Sequence, residues 1–401
     1  MVTRLDLPIV ACMVLLMAVG LLAIYSATAP QDSSSVRGSF ERQAIWALSG
    51  LVVAAVATLL PFRTIERLAY VIYAIMILLL VAVLFVGRGA NARWFAFGPA
   101  RLQPAEFAKV GVVLALARYL TGRRTDVNSA KGILLAAGIV ALPTLLVLKQ
   151  PDLGTALVFM GMLLPLLFWA GLQGFILFLI VAPVISAFAS FHFLAFFLAM
   201  LGLATVLYFS RRGRRVLIFN LLLNLSVGIV APMVYNRLAP YQQNRILAFL
   251  GLRSDPHGVS YQVIQSKVAI GSGGLFGKGF MQGSQTQLRF LPEQHTDFIF
   301  SVIGEEFGFV GALFVVTLFF ILLFRALRIA ATARNQYISM VVAGATIVIA
   351  LHVIINIGVT LGIMPVTGLP LPFVSYGGSS LWTFALLVGL ILNGSLRRLD
   401  Y

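Results

Sequence analysis

Apolar stretches of roughly 17–25 residues, each long enough to cross the hydrocarbon core of a bilayer as a helix, recur along the whole chain. That recurrence restricts the fold more than any motif does. Windows of this size fall near residues 7–27, 44–60, 68–86, 105–120, 131–148, 153–170, 173–190, 192–209, 216–235, 298–324, 336–362 and 377–396. Twelve hydrophobic segments predict an all-α polytopic membrane protein, organised as one integral domain over residues 1–401. The composition agrees, with 60% of residues apolar and only 10% charged, against about one quarter charged in a soluble domain. A soluble enzyme, a disordered chain and a disulfide-stapled scaffold are thereby excluded. Cys12 is the sole cysteine, so no intramolecular disulfide exists. Arg4, the apolar run behind it and Ala27-Thr28-Ala29 imitate a cleaved signal peptide, yet the run exceeds the about 7–15 residues of a signal core. It is expected to remain as the first span.

The sequence carries 29 Lys and Arg against 13 Asp and Glu, a formal charge of +16. Clustered on one surface, such an excess would suggest nucleic acid. Here it follows the loops. One set of alternate loops holds sixteen basic residues beside span ends, among them Arg63, Arg67, Arg118, Arg123, Arg124 and the run Arg211-Arg212-Gly213-Arg214-Arg215. The short loops of the other set hold six: Arg37, Arg42, Arg88, Arg93, Arg101 and Lys149. The positive-inside rule then places both termini in the cytoplasm. Residues 173–209 either cross as a hairpin of two spans or dip in without crossing, and both preserve this parity.

Residues 236–297 break the rhythm. This outside segment of about 60 residues is far longer than ordinary connections and has eight glycines between Gly251 and Gly283, so it is the expected seat of the active site. In Arg253-Ser254-Asp255-Pro256-His257-Gly258, Pro256 pushes Asp255 toward an extended conformation and Gly258 permits a sharp turn. The carboxylate so presented is a general base or metal ligand at the membrane surface, or else the acceptor of an Asx-turn. Lys267 and Lys278 flank a Gly/Ser-rich stretch that can wrap a phosphate with backbone N–H groups, or serve as a flexible interfacial loop. It lacks the spacing of a nucleotide P-loop. Glu293, His295 and Asp297 suit a divalent cation only on an extended backbone, and an N-cap at Thr296 or Asp297 is the simpler role.

Four acids and bases fall inside apolar segments. Glu106 and Lys109 lie three apart on one helical face and can pair, while Glu305 and Glu306 sit about two turns into the tenth segment. Ionisable groups at membrane depth are functional candidates by default. Lys149 and Asp152 bracket Gln150-Pro151 and can meet. Residues 368–380, with Pro370, Pro372, Gly377 and Gly378, cannot continue a helix. Irregular backbone at that depth needs a cover of protein or a watery cavity, so a pocket is expected there.

The strings DPHGVSYQVIQSKVAIGSGGLFGKG from Asp255, GSQTQLRFLPEQHTDFIFSVIGEEFGFVG from Gly283 and GLPLPFVSYGGSS from Gly368 strongly resemble the SEDS family (shape, elongation, division, sporulation). RLQPAEFAK from Arg101 and KQPDLGT from Lys149 fit the same family, so the resemblance runs from about residue 90 to the C-terminus. The GSQTQLRFLPEQHTDFIFSV wording is similar to the elongation-type branch rather than the division-type one. The resemblance implies a ten-span core, two fewer than the hydropathy count, with the surplus at 173–209. It also implies a peptidoglycan glycosyltransferase that polymerises lipid II at the outer face of the bacterial cytoplasmic membrane during cell elongation, beside a class B penicillin-binding protein. The essential Asp of the D-P-x-G string is here Asp255, read as general base on the acceptor sugar hydroxyl while undecaprenyl pyrophosphate leaves.

The residues expected to bind substrate are Lys109, Glu106, Lys149, Asp152, Arg245, Lys267, Trp94, Glu293, His295 and Ser375. Among them Lys109, Lys149, Arg245 and Lys267 would stabilise charge on the leaving pyrophosphate. No dedicated metal cage is visible and no cofactor is required, although the chemistry admits a divalent cation on the pyrophosphate. Expected partners are lipid II, the penicillin-binding protein and membrane lipid, not nucleic acid. Two competing readings use the same features: a lipid II flippase built around Glu106–Lys109 and the broken helix, or a non-catalytic scaffold for the penicillin-binding protein.

Overall fold

The computed structural model describes residues 5–28, 38–87, 93–97, 100–210, 213–237, 243, 259–288, 290–291 and 293–398. A helix forms on every hydrophobic segment: α1 (Leu7–Thr28), α2 (Ser39–Leu59), α3 (Phe62–Val86), α4 (Pro104–Leu120), α5 (Ala130–Lys149), α6 (Leu153–Trp169), α7 (Gly174–Ala189), α8 (Phe193–Phe209) and α9 (Arg214–Asn236). Two further helices, α10 (Val259–Ser272) and α11 (Ser284–Gln287), precede α12 (Ile299–Thr332), α13 (Gln336–Thr360) and α14 (Gly378–Arg397). A short ribbon before α4 pairs β1 (Phe95–Phe97) with β2 (Ala100–Leu102) in antiparallel fashion, Phe95 opposite Leu102. Eight of the helices are long and apolar enough, by themselves, to cross a membrane. The chain is a polytopic, essentially all-α membrane protein.

Local chemistry sets several helix starts. The Ser129 hydroxyl accepts from Gly132 N at the start of α5, and the Asn335 amide oxygen accepts from Tyr337 N and Ile338 N at the start of α13. Pro104 opens α4, where its missing N–H costs nothing. Helices α2 and α3 begin five to six residues before their apolar windows. Glu41, Arg42, Arg63, Glu66 and Arg67 occupy those first turns, where charged side chains can reach out of the hydrocarbon while the backbone already pairs helically.

Internal packing divides the chain into residues 1–170 with 255–401, and residues 171–254. In the first unit α13 and α14 are the most enclosed helices. α14 lies against α2 and α13, α4 against α3 and α13, and α12 against α1 and α13. Arg325 on α12 grips Asp6, just before α1, with two hydrogen bonds of 2.7 and 2.9 Å. In the second unit Ala182, Leu203 and Leu207 bury one another between α7, α8 and α9. Ser186 donates to the Asn224 amide oxygen at 2.8 Å, a polar link of the kind that fastens helices where water is absent. Residues 173–209 thus fold as two helices of 16 and 17 residues, at the short end of the spanning range.

One helix departs from its sequence reading. The segment near 298–324 reads as one apolar run, but α12 kinks at Gly308, whose φ of 65° and ψ of −160° are open to glycine alone.

Candidate active site

Helices α13 and α14 are joined by the broken segment foreseen in the sequence. Leu369, Leu371, Phe373 and Val374 of this segment are buried, so protein covers the irregular backbone. Side chains answer its peptide groups. Asn356 Nδ2 donates to Leu369 O at 2.8 Å and to Asp297 O at 2.9 Å. Ser375 Oγ donates to Thr296 O at 2.6 Å and accepts from Leu371 N at 2.8 Å. Gln43 of α2 donates to Ser375 O and accepts from Gly377 N, and Tyr376 N donates to His295 O at 3.0 Å. The break and the turn before α12 are therefore one stitched platform.

One helical turn from Asn356, His352 enters a second polar cluster. Lys109 Nζ donates to Glu106 Oε2 at 2.8 Å and lies 2.9 Å from His352 Nε2. An ammonium has no lone pair, so Nε2 must accept, which leaves the imidazole proton on Nδ1, 3.3 Å from Pro370 O. The Lys109 charge also faces the Phe384 ring, 5.7 Å from its centroid. Lys109 is 0% exposed and Glu106 3% exposed. The expected pair forms, with a third partner the sequence did not disclose.

The turn at 293–298 carries three of the singled-out residues. The Thr296 hydroxyl donates to Glu293 Oε2 at 3.1 Å. The N-cap position of α12 belongs to Phe298, with no side-chain cap, so neither Thr296 nor Asp297 caps the helix as expected. Instead, burial, reinforced by the negative charges of Glu293 and Asp152, pushes the Asp297 carboxyl up to about 6. Burial lowers the His295 imidazole below its ordinary range, with Glu293 opposing. His295 also packs on Tyr376, ring centroids 5.6 Å apart. Among the described residues no three His, Cys, Asp or Glu side chains gather as a metal-holding group.

Asp152 does not pair with Lys149. Its Oδ1 accepts from Thr155 N at 3.1 Å, capping α6, while Oδ2 accepts from Thr155 Oγ1 and from Gln103 Nε2, just ahead of α4. Two α-helix starts are thereby tied together, and Lys149 stands exposed. Arg93 clasps the carbonyls of Gln150 and Pro151, and the neighbouring Trp94 is 36% exposed.

The glycine-rich stretch after α10 meets the kinked part of α12 backbone to backbone. Lys278 N and Gly279 N donate to the carbonyls of Glu305 and Glu306, while Phe309 N and Val310 N donate back to Gly274 O and Leu275 O. A Cβ on Gly277 would lie 2.1 Å from Glu306 O, so only glycine lets the two backbones meet. The Glu305 carboxylate locks the arrangement, accepting from Lys278 Nζ, Gln285 N, Thr286 N and Thr286 Oγ1 at 2.8–3.0 Å. The Glu306 carboxylate accepts from the Ser26 hydroxyl of α1. Helix α10 is fixed from its other side, Ser266 Oγ lying 2.6 Å from Ser301 Oγ and donating to Thr360 O at 2.7 Å. Lys267 is exposed, and its side chain runs over Gly362, which leaves room for it. Asp255 and Arg245 lie outside the described residues.

Comparison with known proteins bears on the whole chain. The family model FTSW_RODA_SPOVE, described as cell cycle protein, matches residues 6–199 and 195–398. Peptidoglycan glycosyltransferase RodA of Treponema pallidum is 33% identical, with 99% of each chain covered. Peptidoglycan glycosyltransferase MrdB of Escherichia coli is 37% identical, covering 93% of this chain and 90% of its own. Among solved structures, a chain of a peptidoglycan synthase complex described as coordinating polymerization and crosslinking superposes with a TM-score of 0.74 at 32% identity, 99% of both chains covered. Rod shape determining protein RodA of Thermus thermophilus gives 0.65 at 29% identity, covering 99% and 98%. With matches that span both the helical scaffold and the platform around its broken segment, this chain belongs to the FtsW/RodA/SpoVE family of cell cycle proteins.

Proposed function

We propose that this chain polymerises lipid II at the outer face of the cytoplasmic membrane, with Asp255 taking the proton from the acceptor sugar hydroxyl as undecaprenyl pyrophosphate leaves. The chain is a peptidoglycan glycosyltransferase of cell elongation, in line with relatives aligned over nearly their full length. That full-length likeness is the observation that carries the reading, and it takes the ground from the flippase and scaffold alternatives. Asp255 precedes the start of α10 by four residues, and α10 is pinned to α12 and α13 through Ser266. A general base must come within hydrogen-bond reach of the hydroxyl whose proton it takes. A positioned carboxylate of this kind is worth about 10²–10⁴-fold in rate.

The leaving pyrophosphate needs positive charge rather than an acid. Lys267 on the exposed side of α10, Lys149 at the end of α5 and Arg245 are the cations assigned to it. Lys109, enclosed between Glu106 and His352, serves the platform from beneath. A divalent cation, where the reaction uses one, enters on the pyrophosphate. Both termini face the cytoplasm, and a class B penicillin-binding protein cross-links the product; the likeness to a synthase complex that couples polymerization to crosslinking supports that partner.

The test is purified protein with labelled lipid II in detergent. Wild type is expected to form glycan polymer, and Asp255→Asn to form none while keeping the wild-type unfolding temperature. Polymer from the Asn variant at near wild-type rate removes the base assignment. No polymer from wild type, with or without its partner, removes the polymerase reading itself.

A further inference from the structure

A cavity of about 520 Å³ opens where α3 begins and α4 ends, lined by Glu66, Tyr70, Arg118, Arg123 and Arg124 among others. A second, of about 320 Å³, is also lined by Glu66, together with Arg63, Tyr337 and Arg397. The two share one acid between five guanidinium groups. Arg118 pairs with Glu66. Arg123 and Arg124 are exposed and meet no acid among the described residues. Arg397 donates to the backbone carbonyls of Leu59 and Leu60, which hold the side chain without neutralising it.

Two independent observations say what such a trough takes. The Tyr337 hydroxyl is buried at its wall, with Tyr337 only 3% exposed, and has no hydrogen-bond partner. A buried hydroxyl is normally satisfied, so an acceptor is missing there. In addition, Tyr70 of the cavity wall is 48% exposed, and Leu68, Val71, Ile75 and Leu78, further round and along α3, extend that exposed apolar surface at 42–67%. A ligand with a phosphate at one end and an apolar chain at the other matches both halves. We propose that this arginine trough binds the phosphate headgroup of an anionic membrane lipid whose acyl chain lies along that exposed α3 surface. Basic pockets between membrane helices on the side favoured by Arg and Lys suit such headgroups. The site lies at the arginine-bearing helix ends, whereas the platform around residues 293–298 and 361–377 lies at the opposite ends of α3, α4, α13 and α14.

The experiment uses the full chain in dodecylmaltoside and counts retained dioleoylphosphatidylglycerol by native mass spectrometry across a lipid titration, with dioleoylphosphatidylcholine as control. Wild type is expected to retain phosphatidylglycerol and release phosphatidylcholine. Arg123→Gln with Arg124→Gln should weaken retention about tenfold without moving the lipid-free unfolding temperature. Glu66→Gln should tighten it about threefold, because the lone negative charge leaves and Arg118 is freed. A merely structural Arg118–Glu66 pair would make that variant weaker instead, and this outcome overturns the proposal. Unchanged retention in the double arginine variant overturns it as well. Displacement of the lipid by millimolar glycerol 3-phosphate would show that the headgroup alone is recognised, and would sink the lipid assignment.

Discussion

The Glu106–Lys109–His352 cluster and the Asp152–Glu293–His295–Asp297 group both touch the broken segment between α13 and α14, the one at Pro370 O and the other where Tyr376 N donates to His295 O. His352 reaches Pro370 O and Asn356 reaches Leu369 O from consecutive turns of α13. In the first cluster opposite charges touch, a neutral imidazole accepts a hydrogen bond from the ammonium, and nothing is exposed. In the second, like charges gather: Glu293 and Asp152 both raise the Asp297 carboxyl, and Glu293 is exposed. A closed cluster of complementary charge resists change, whereas a half-open cluster of like charge changes its protonation with its surroundings. The closed cluster is wholly buried, whereas the open one reaches the surface through Glu293.

Breaking the closed cluster should have the largest effect. Lys109→Met leaves the Glu106 carboxylate buried without a counter-charge and should cost about 3–5 kcal/mol, read as a loss of folded protein in a thermal scan of detergent-purified chain. Exchanging the two charges, Glu106→Lys with Lys109→Glu, should restore only part of this, since His352 would face a carboxylate and need its other tautomer. Full restoration would reduce the cluster to a simple ion pair.

The open cluster predicts a pH signature. An aspartate with a folded value of about 6 and an unfolded one near 4 binds more protons when folded, so stability is greatest below pH 4 and falls as pH rises through 6. Two units correspond to about 3 kcal/mol, and partial exposure cuts this to about 1–2 kcal/mol. Asp297→Asn should remove that slope and be the more stable protein at pH 7. An unchanged slope in the variant would assign the titration to another group.

Smaller effects sharpen the contrast. Ser375→Ala removes one donor to Thr296 O and one acceptor for Leu371 N, and should cost about 1–2 kcal/mol by chemical unfolding. Lys149→Ala touches no partner and should stay within about 0.5 kcal/mol of wild type, while lowering the polymerisation rate if its charge serves the pyrophosphate. Equal stability losses for the two would erase the distinction between platform and rim.

Much of the helical order was legible, because twelve apolar runs leave the backbone few alternatives once water is absent. The break at 368–380 was legible for the same reason, prolines and paired glycines being incompatible with a continuing helix. What stayed hidden depends on partners distant in sequence. Lys109 and His352 lie in different helices far apart along the chain, and no local pattern announces that they meet. Glu305, marked as a buried acid of functional interest, turns out to cap and clasp residues 278–286. Gln103 and Asn356, which organise the platform, are amides in unremarkable positions. Their signal was present, since a polar His352 and Asn356 four apart in an apolar helix mark one wet or bonded face.

The kink at Gly308 carries a consequence for how the chain assembles. Phe309 N and Val310 N bond outward to Gly274 O and Leu275 O, while Lys278 N and Gly279 N bond inward to the kinked turn. Four amides in stretches without regular helical pairing therefore share the fate of α12. Their hydrogens should exchange with solvent only when loop and helix part together, as slowly as those of a packed helix. During synthesis the loop emerges first and waits unpartnered until residues 304–310 follow it. The bend in α12 is then written into the helix by a segment made before it.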